Sequence, residues 1–183
     1  MPAYHSSYND DEGLHQIGNM TLLPIATKLR GPAPPPADST RDDIVNEALD
    51  LFRANSLFRN FEIKGPADRV LIYLILFIGD CLTKISQART PGWTQQEAYK
   101  QLSSYAVDNF TLPGEPGFPL NNLYQSPANR LEADSLRQYL TQARQETVIR
   151  LIERIYTPES QGKPSKWWMC FQKRKFMGKS LSV

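Results

Sequence analysis

Hydrophobic positions along the chain gather into stripes at helical spacing and one saturated run, separated by segments broken with proline and glycine. Ile44, Val45, Ala48, Leu49 and Phe52 form one apolar face of a predicted helix that takes Ser39 or Thr40 as cap and runs to about Asn55. Asp42 and Asp43 sit where the positive end of its dipole favours acids. After a short stretch with Leu57, Phe58, Phe61 and Ile63, Gly65-Pro66 opens a second helix reaching about Ala88. Its run Val70 to Ile78 is apolar on every side, which leaves no face for water, so other elements must surround it. The β-branched residues there also permit a buried strand, but the length of the segment and its polar ends favour helix. Thr94-Gln-Gln-Glu97 is a capping box, and the helix it starts, to about Asn109, turns Ala98, Leu102, Tyr105 and Ala106 inward. Ser126-Pro127 opens the longest helix, to about Tyr156, with Leu136, Leu140, Ala143, Thr147, Leu151 and Ile155 in its stripe. A last short helix begins at Ser165 and includes Trp167, Trp168, Met169 and Phe171.

Residues 1–40 show no sustained period and carry Pro2, Pro24, Pro32, Pro34, Pro35 and Pro36. They read as an extended arm held by single anchors, Ile17, Met20, Leu22, Leu23 and Ile25, followed by a stiff linker from Gly31 to Asp38. The single Pro-x-x-Pro spacing at Pro32 and Pro35 is weak, and a linker is preferred to an SH3 ligand. Between Leu112 and Leu120, LPGEPGFPL admits neither helix nor central strand. No strand pair with hairpin chemistry is read. The expected fold is all-α: a single compact domain over 1–183 of about five helices, with one apolar central helix surrounded by the others. An extended N-terminal arm and Pro-rich linker occupy 1–40, and a helical body ending in a basic aromatic segment occupies 41–183.

Composition narrows the chemistry. The chain has 183 residues, a length that suits one domain, and 40% hydrophobic with 22% charged residues excludes wholesale disorder. The apolar run is too short to span a bilayer, and the start Met-Pro-Ala-Tyr-His shows no secretory signal, so a cytoplasmic protein is expected. Cys81 and Cys170 with His5 and His15 make neither a disulfide framework nor a zinc site. There is no Gly-x-Ser-x-Gly elbow, phosphate loop or dinucleotide fingerprint. No catalytic, cofactor-binding or metal-ligating residue is therefore assigned, and no enzyme activity is expected. Cys81 reads as a small buried hydrophobe, His5 and His15 as solvent-exposed polar residues of the arm, and Glu146 as the i, i+4 partner of Arg150. Arg130, Arg137 and Arg144 recur every seven residues, either as a stripe for an acidic partner or, preferred, as a solvated face.

Charge is distributed unevenly. After Glu159 the chain holds Lys163, Lys166, Lys173, Arg174, Lys175 and Lys179 and no acid, so this tail carries +6 while the whole chain sums to +2. Basic residues interleaved with Trp167, Trp168, Phe171 and Phe176 suit base stacking, a membrane surface or an acidic protein. The expectation is divided: the aromatics anchor in the core, and Lys166, Trp167, Lys173, Arg174 and Lys175 are candidate partner contacts. The LPGEPGFPL loop is a rigid connection in one reading and, in the other, a preorganised knob displaying Glu115 and Phe118 to a partner.

Several segments also carry a resemblance: MPAYHSS at the N-terminus, IGNMTLLPI from Ile17, GPAP at Gly31, ADRVLIY from Ala67, LPGEPGFPLNNLY from Leu112, PAN at Pro127, RQE at Arg144 and KPSKWWMCFQKRKFMGKSLS from Lys163. In order and from end to end, they resemble subunit 3, the small helical subunit of the actin-related protein 2/3 complex. The resemblance implies a noncatalytic structural subunit of a seven-subunit assembly that nucleates branched actin filaments. It also implies packing chiefly against the actin-related protein 3 subunit and no cofactor on this chain. Actin filaments would be met through the complex, in the cytoplasm at cortical actin patches or cell projections, without nucleic acid or membrane insertion. The tract GPAPPPADSTRDD is richer in proline than the family leads one to expect. The alternative is a stand-alone helical adaptor whose basic aromatic tail binds an anionic membrane or nucleic acid.

Overall fold

The structure, a computed structural model, describes residues 3–181. A two-stranded hairpin, β1 (Gln16–Ile17) and β2 (Met20–Thr21), precedes helices α1 (Ile44–Asn55), α2 (Pro66–Ser86), α3 (Gln95–Val107), α4 (Arg130–Ile155) and α5 (Lys166–Met169), with short 3₁₀ turns between them. The fold is all-α apart from that small hairpin, as expected. Every residue from Val70 to Ile78 is buried, and α1, α4, the hairpin and the tail all pack on α2. The saturated run therefore does what its composition requires: over Val70 to Ile78 the helix has no face toward water. α3 packs on α4 and reaches α2 through Tyr105, whose ring stacks on Phe77 at 5.6 Å.

Side-chain caps set the starts of α1, α3, α4 and α5, while α2 opens on Gly65-Pro66 without one. Thr94 and Glu97 form both halves of the capping box before α3. Asp43, not Ser39 or Thr40, caps α1, because Thr40 is bonded to the Asp38 carboxylate in a separate turn while Asp43 accepts from the Asn46 amide at 2.9 Å. Likewise Asn129, not Ser126, caps α4 by accepting from the Glu132 amide. The five anchors of the arm are all buried, so an irregular segment closes one side of the core.

Three expectations are corrected. The hairpin was absent from the prediction because strands of two residues hold no alternation to read. Its turn is nevertheless Gly18-Asn19, a two-residue hairpin sequence. Gly18 has φ 59°, and a Cβ there would come within 2.5 Å of the Gln125 carbonyl oxygen, so left-handed backbone and close approach both demand glycine. Second, the arginine series is no solvated face. Arg144 is 1% exposed, donates to the carbonyls of Ala106 and Tyr105 and to the Tyr73 hydroxyl, and lies over the rings of Phe77, Tyr105 and Phe110. Arg137 reaches Phe110 O and Glu115, and Arg130 is exposed. Third, His5 is half-buried, with Nδ1 at 2.7 Å from Asp68 Oδ2 and its ring against Phe61; His15 is exposed.

Candidate partner interface

The proline-rich loop is braced from within. Asn121 accepts from the Gly114 amide at 2.8 Å and donates to Glu115 O at 2.9 Å, closing the loop across its base. Gly114 has φ 92°, and a Cβ there would collide with Ser126 Oγ. Glu115, its side chain 43% exposed, accepts from the Leu112 amide and pairs with Arg137 at 2.9 Å. Phe118 is 6% exposed and packs between Tyr73 and Tyr124, with centroids at 6.4 and 5.2 Å. The loop is braced by its own hydrogen bonds, but the display expected of Phe118 does not hold. Its aromatic area fills a gap over α2, where burial stabilises more than exposure.

The tail divides as expected. Trp168 is buried against Phe52 at 5.9 Å with the Arg53 guanidinium over its ring, Phe171 meets the edge of Phe52, and Phe176 meets Phe61 at 5.7 Å. The Ser165 amide bonds to Ile155 O, the Thr83 hydroxyl to Gln172 O, and the Met177 amide to Phe58 O, so the backbone is tied to α4, α2 and the segment after α1. Ser165 caps α5 through the Trp167 amide. On that fixed base Trp167 is 75% exposed, and Lys166, Lys173, Arg174 and Lys175 are exposed around the same segment.

Of the sequence candidates, the fold thus brings the tail residues together on one short segment. Glu115 and Phe118 sit apart in the loop, attached through Arg137 and Tyr73. Sequence reasoning missed Lys84 and Lys179, which line a cleft with Lys173, Arg174 and Lys175 between α2 and the tail. Lys84 stands in the polar end of the central helix, and nothing local tells which side that end faces. It also missed the exposed apolar side chains Leu57 on the link after α1 and Leu131 in the first turn of α4.

Cys81 is fully buried, and burial pushes its thiol up, away from thiolate reactivity. Burial likewise pushes the Tyr156 hydroxyl up to about 12. Among the described residues no cluster of three or more His, Cys, Asp or Glu side chains could hold a metal ion, and no helix is long and apolar enough to cross a membrane.

A helical body that buries Trp168 and Phe176 of its tail while holding one tryptophan and a row of cations outward has the form of a protein-binding module. The whole-chain comparisons agree with that class. The family model described as the ARP2/3 complex ARPC3 (21 kDa) subunit matches residues 1–181, and the chain belongs to this family. It is 51% identical over 181 residues to the actin-related protein 2/3 complex subunit 3 of Schizosaccharomyces pombe, covering 99% of this chain and 100% of the relative. It is 53% identical to the Saccharomyces cerevisiae protein of that name, with the same coverage, and 48% to that of Dictyostelium discoideum, over 98% and 99% of the two chains.

Proposed function

We propose that the chain is a noncatalytic structural subunit of a seven-subunit complex that nucleates branched actin filaments, and that it packs chiefly against the actin-related protein 3 subunit. One observation carries this reading: the family match runs from end to end at about half identity. In this role the rigid body buttresses an actin-like neighbour while changing little itself. Trp167 is the apolar anchor of the contact, since exposed tryptophans on fixed backbone are the commonest binding hot spots. Lys166, Lys173, Arg174 and Lys175 supply charge complementary to an acidic actin-like surface. Phe118 from beneath and Glu115 through its bonds to Leu112 and Arg137 hold the loop in a shape that loses little entropy on docking. The complex places the chain in the cytoplasmic actin cytoskeleton.

Affinity purification of the tagged chain followed by mass spectrometry tests the assignment. Recovery of six partners, two of them actin-like, is expected; recovery of none overturns it. Reversal of Lys173, Arg174 and Lys175 to Glu is expected to weaken partner recovery and branch formation while the isolated chain stays folded. If both measurements stay unchanged, the three cations have no part in assembly.

A further inference from the structure

The cleft between the second half of α2 and the tail has a composition that assembly alone does not explain. Its volume is about 530 Å³, the size of a small-molecule pocket rather than a flat docking face. Lys84, Lys173, Arg174, Lys175 and Lys179 line it, and among the described residues none of the five has a carboxylate at ion-pair distance. The acid in the lining, Asp80, is engaged by the hydroxyls of Tyr105 at 3.0 Å and Ser180 at 2.6 Å. Cations gathered in a concave site repel one another and focus positive potential into it. An anion that neutralises them is bound more strongly there than on a convex surface.

The floor gives a second, independent observation. Gly79 lies in the interior of α2, where glycine is less favourable than alanine by about 1 kcal/mol. A Cβ built there meets nothing within 4 Å, so no neighbour in the fold requires its absence. The empty space belongs to the cleft. The cations themselves indicate which anion fits. Five cations lining one small cleft match an anion that carries several negative charges in a small volume, and both lysine point charges and the arginine fork hold phosphate.

We infer that this cleft binds a polyphosphorylated ligand, a group carrying two or more phosphates, either free or as a lipid headgroup. The inference rests on the tail being an outward basic face, as in the function proposed above. Three of its residues are shared with the partner contact, so such a ligand would compete with assembly there.

Titration calorimetry of the full chain with inositol hexakisphosphate, beside sedimentation with phosphatidylcholine vesicles with and without phosphatidylinositol 4,5-bisphosphate, tests the site. Binding that weakens with added salt is expected. Lys84→Gln together with Lys179→Gln should weaken it by about tenfold or more, the equivalent of about 1.4 kcal/mol. Gly79→Leu should weaken it by filling the floor while the melting temperature holds or rises, and Lys163→Gln, outside the lining, should leave it unchanged. Binding of the free anion identifies a soluble ligand, and variant-sensitive binding of vesicles alone identifies a headgroup; both support the site. Absence of binding in both arms, indifference to the cleft variants, or equal displacement by polyglutamate overturns it. Lys84, Gly79 and Lys179 are not among the proposed assembly contacts, so these variants should still recover the partner chains. A failed partner recovery with intact phosphate binding would remove the assembly reading alone.

Discussion

Arg144 shows how far a single residue can depart from what its charge suggests. With 1% exposure and, among the described residues, no carboxylate hydrogen bond, it is held by carbonyls, a hydroxyl and three ring faces. The guanidinium suits this because it is planar, weakly hydrated and carries donors in several directions. Arg144→Ala removes these contacts and leaves the buried Ala106 carbonyl without its donor. It should destabilise the chain by about 3–5 kcal/mol, and Arg144→Lys should recover only part of that loss. Urea unfolding of the three proteins measures it, and a fully stable lysine variant would contradict the stacking argument. Asp43 is the converse case, a buried acid whose charge is satisfied. Burial raises its carboxyl, but Arg150 and the amides of Asn46 and Ala26 outweigh burial and hold it below the ordinary 3.8. A depressed acid contributes stability above its unfolded value and loses it as the pH falls through the folded one. Burial dominates at Glu146 and raises it above 4.5, so its contribution runs the other way: complete below 4.5, it is lost as pH rises through the folded value. Asp43→Asn keeps the cap oxygen but loses the charge facing Arg150. It should cost about 1–3 kcal/mol at pH 7, with the gap closing below pH 3.8. Unfolding curves at both ends of that range check the sign, and a gap that does not narrow would count against the ion pair.

Elements were legible wherever a local rule sufficed. The capping box gave the start of α3 directly, since both of its bonds lie within four residues. Thr94→Ala should therefore cost about 1 kcal/mol, with amide exchange accelerated most in the first turn of α3. Uniform acceleration across α2 and α4 would mean the cap acts on the whole fold. The apolar run of α2 was equally legible, and so was the division of the tail into buried aromatics and outward cations. What escaped was set by distant partners. Asp43 outcompetes Ser39 as cap because Arg150 and the Ala26 amide, far along the chain, also bind it. Phe118 faces inward because Tyr73 and Tyr124 offer it a slot, which no spacing in LPGEPGFPL encodes. The cleft escaped for the same reason: Lys84 and Lys179 meet only once the tail has folded back on α2.

At the scale of the whole molecule, α4 is a two-sided device. Its apolar stripe faces the core, while Tyr139, Gln142 and Arg150 form a second line that holds the arm by its backbone. The Tyr139 hydroxyl accepts from the Leu23 amide at 2.9 Å and donates to Leu23 O at 3.0 Å. Gln142 accepts from the Ala33 amide and donates to Leu29 O, and Arg150 donates to Ala26 O. An arm poor in regular structure thereby has buried polar groups satisfied by one helix, as a sheet edge would satisfy them. The cost of this arrangement falls on single side chains. Tyr139→Phe preserves the ring and its packing but leaves both backbone groups of Leu23 without a partner at a position that is 0% exposed. Stability should drop by about 1–3 kcal/mol. The arm should also become the first site of cleavage in limited proteolysis, because local opening then needs less free energy than unfolding the helices. Tyr124→Phe, which removes a bond to Arg69 O elsewhere in the molecule, provides the comparison. Equal cleavage of the arm in both variants would mean that its apolar anchors alone hold it, and that the polar line on α4 is incidental to the fold.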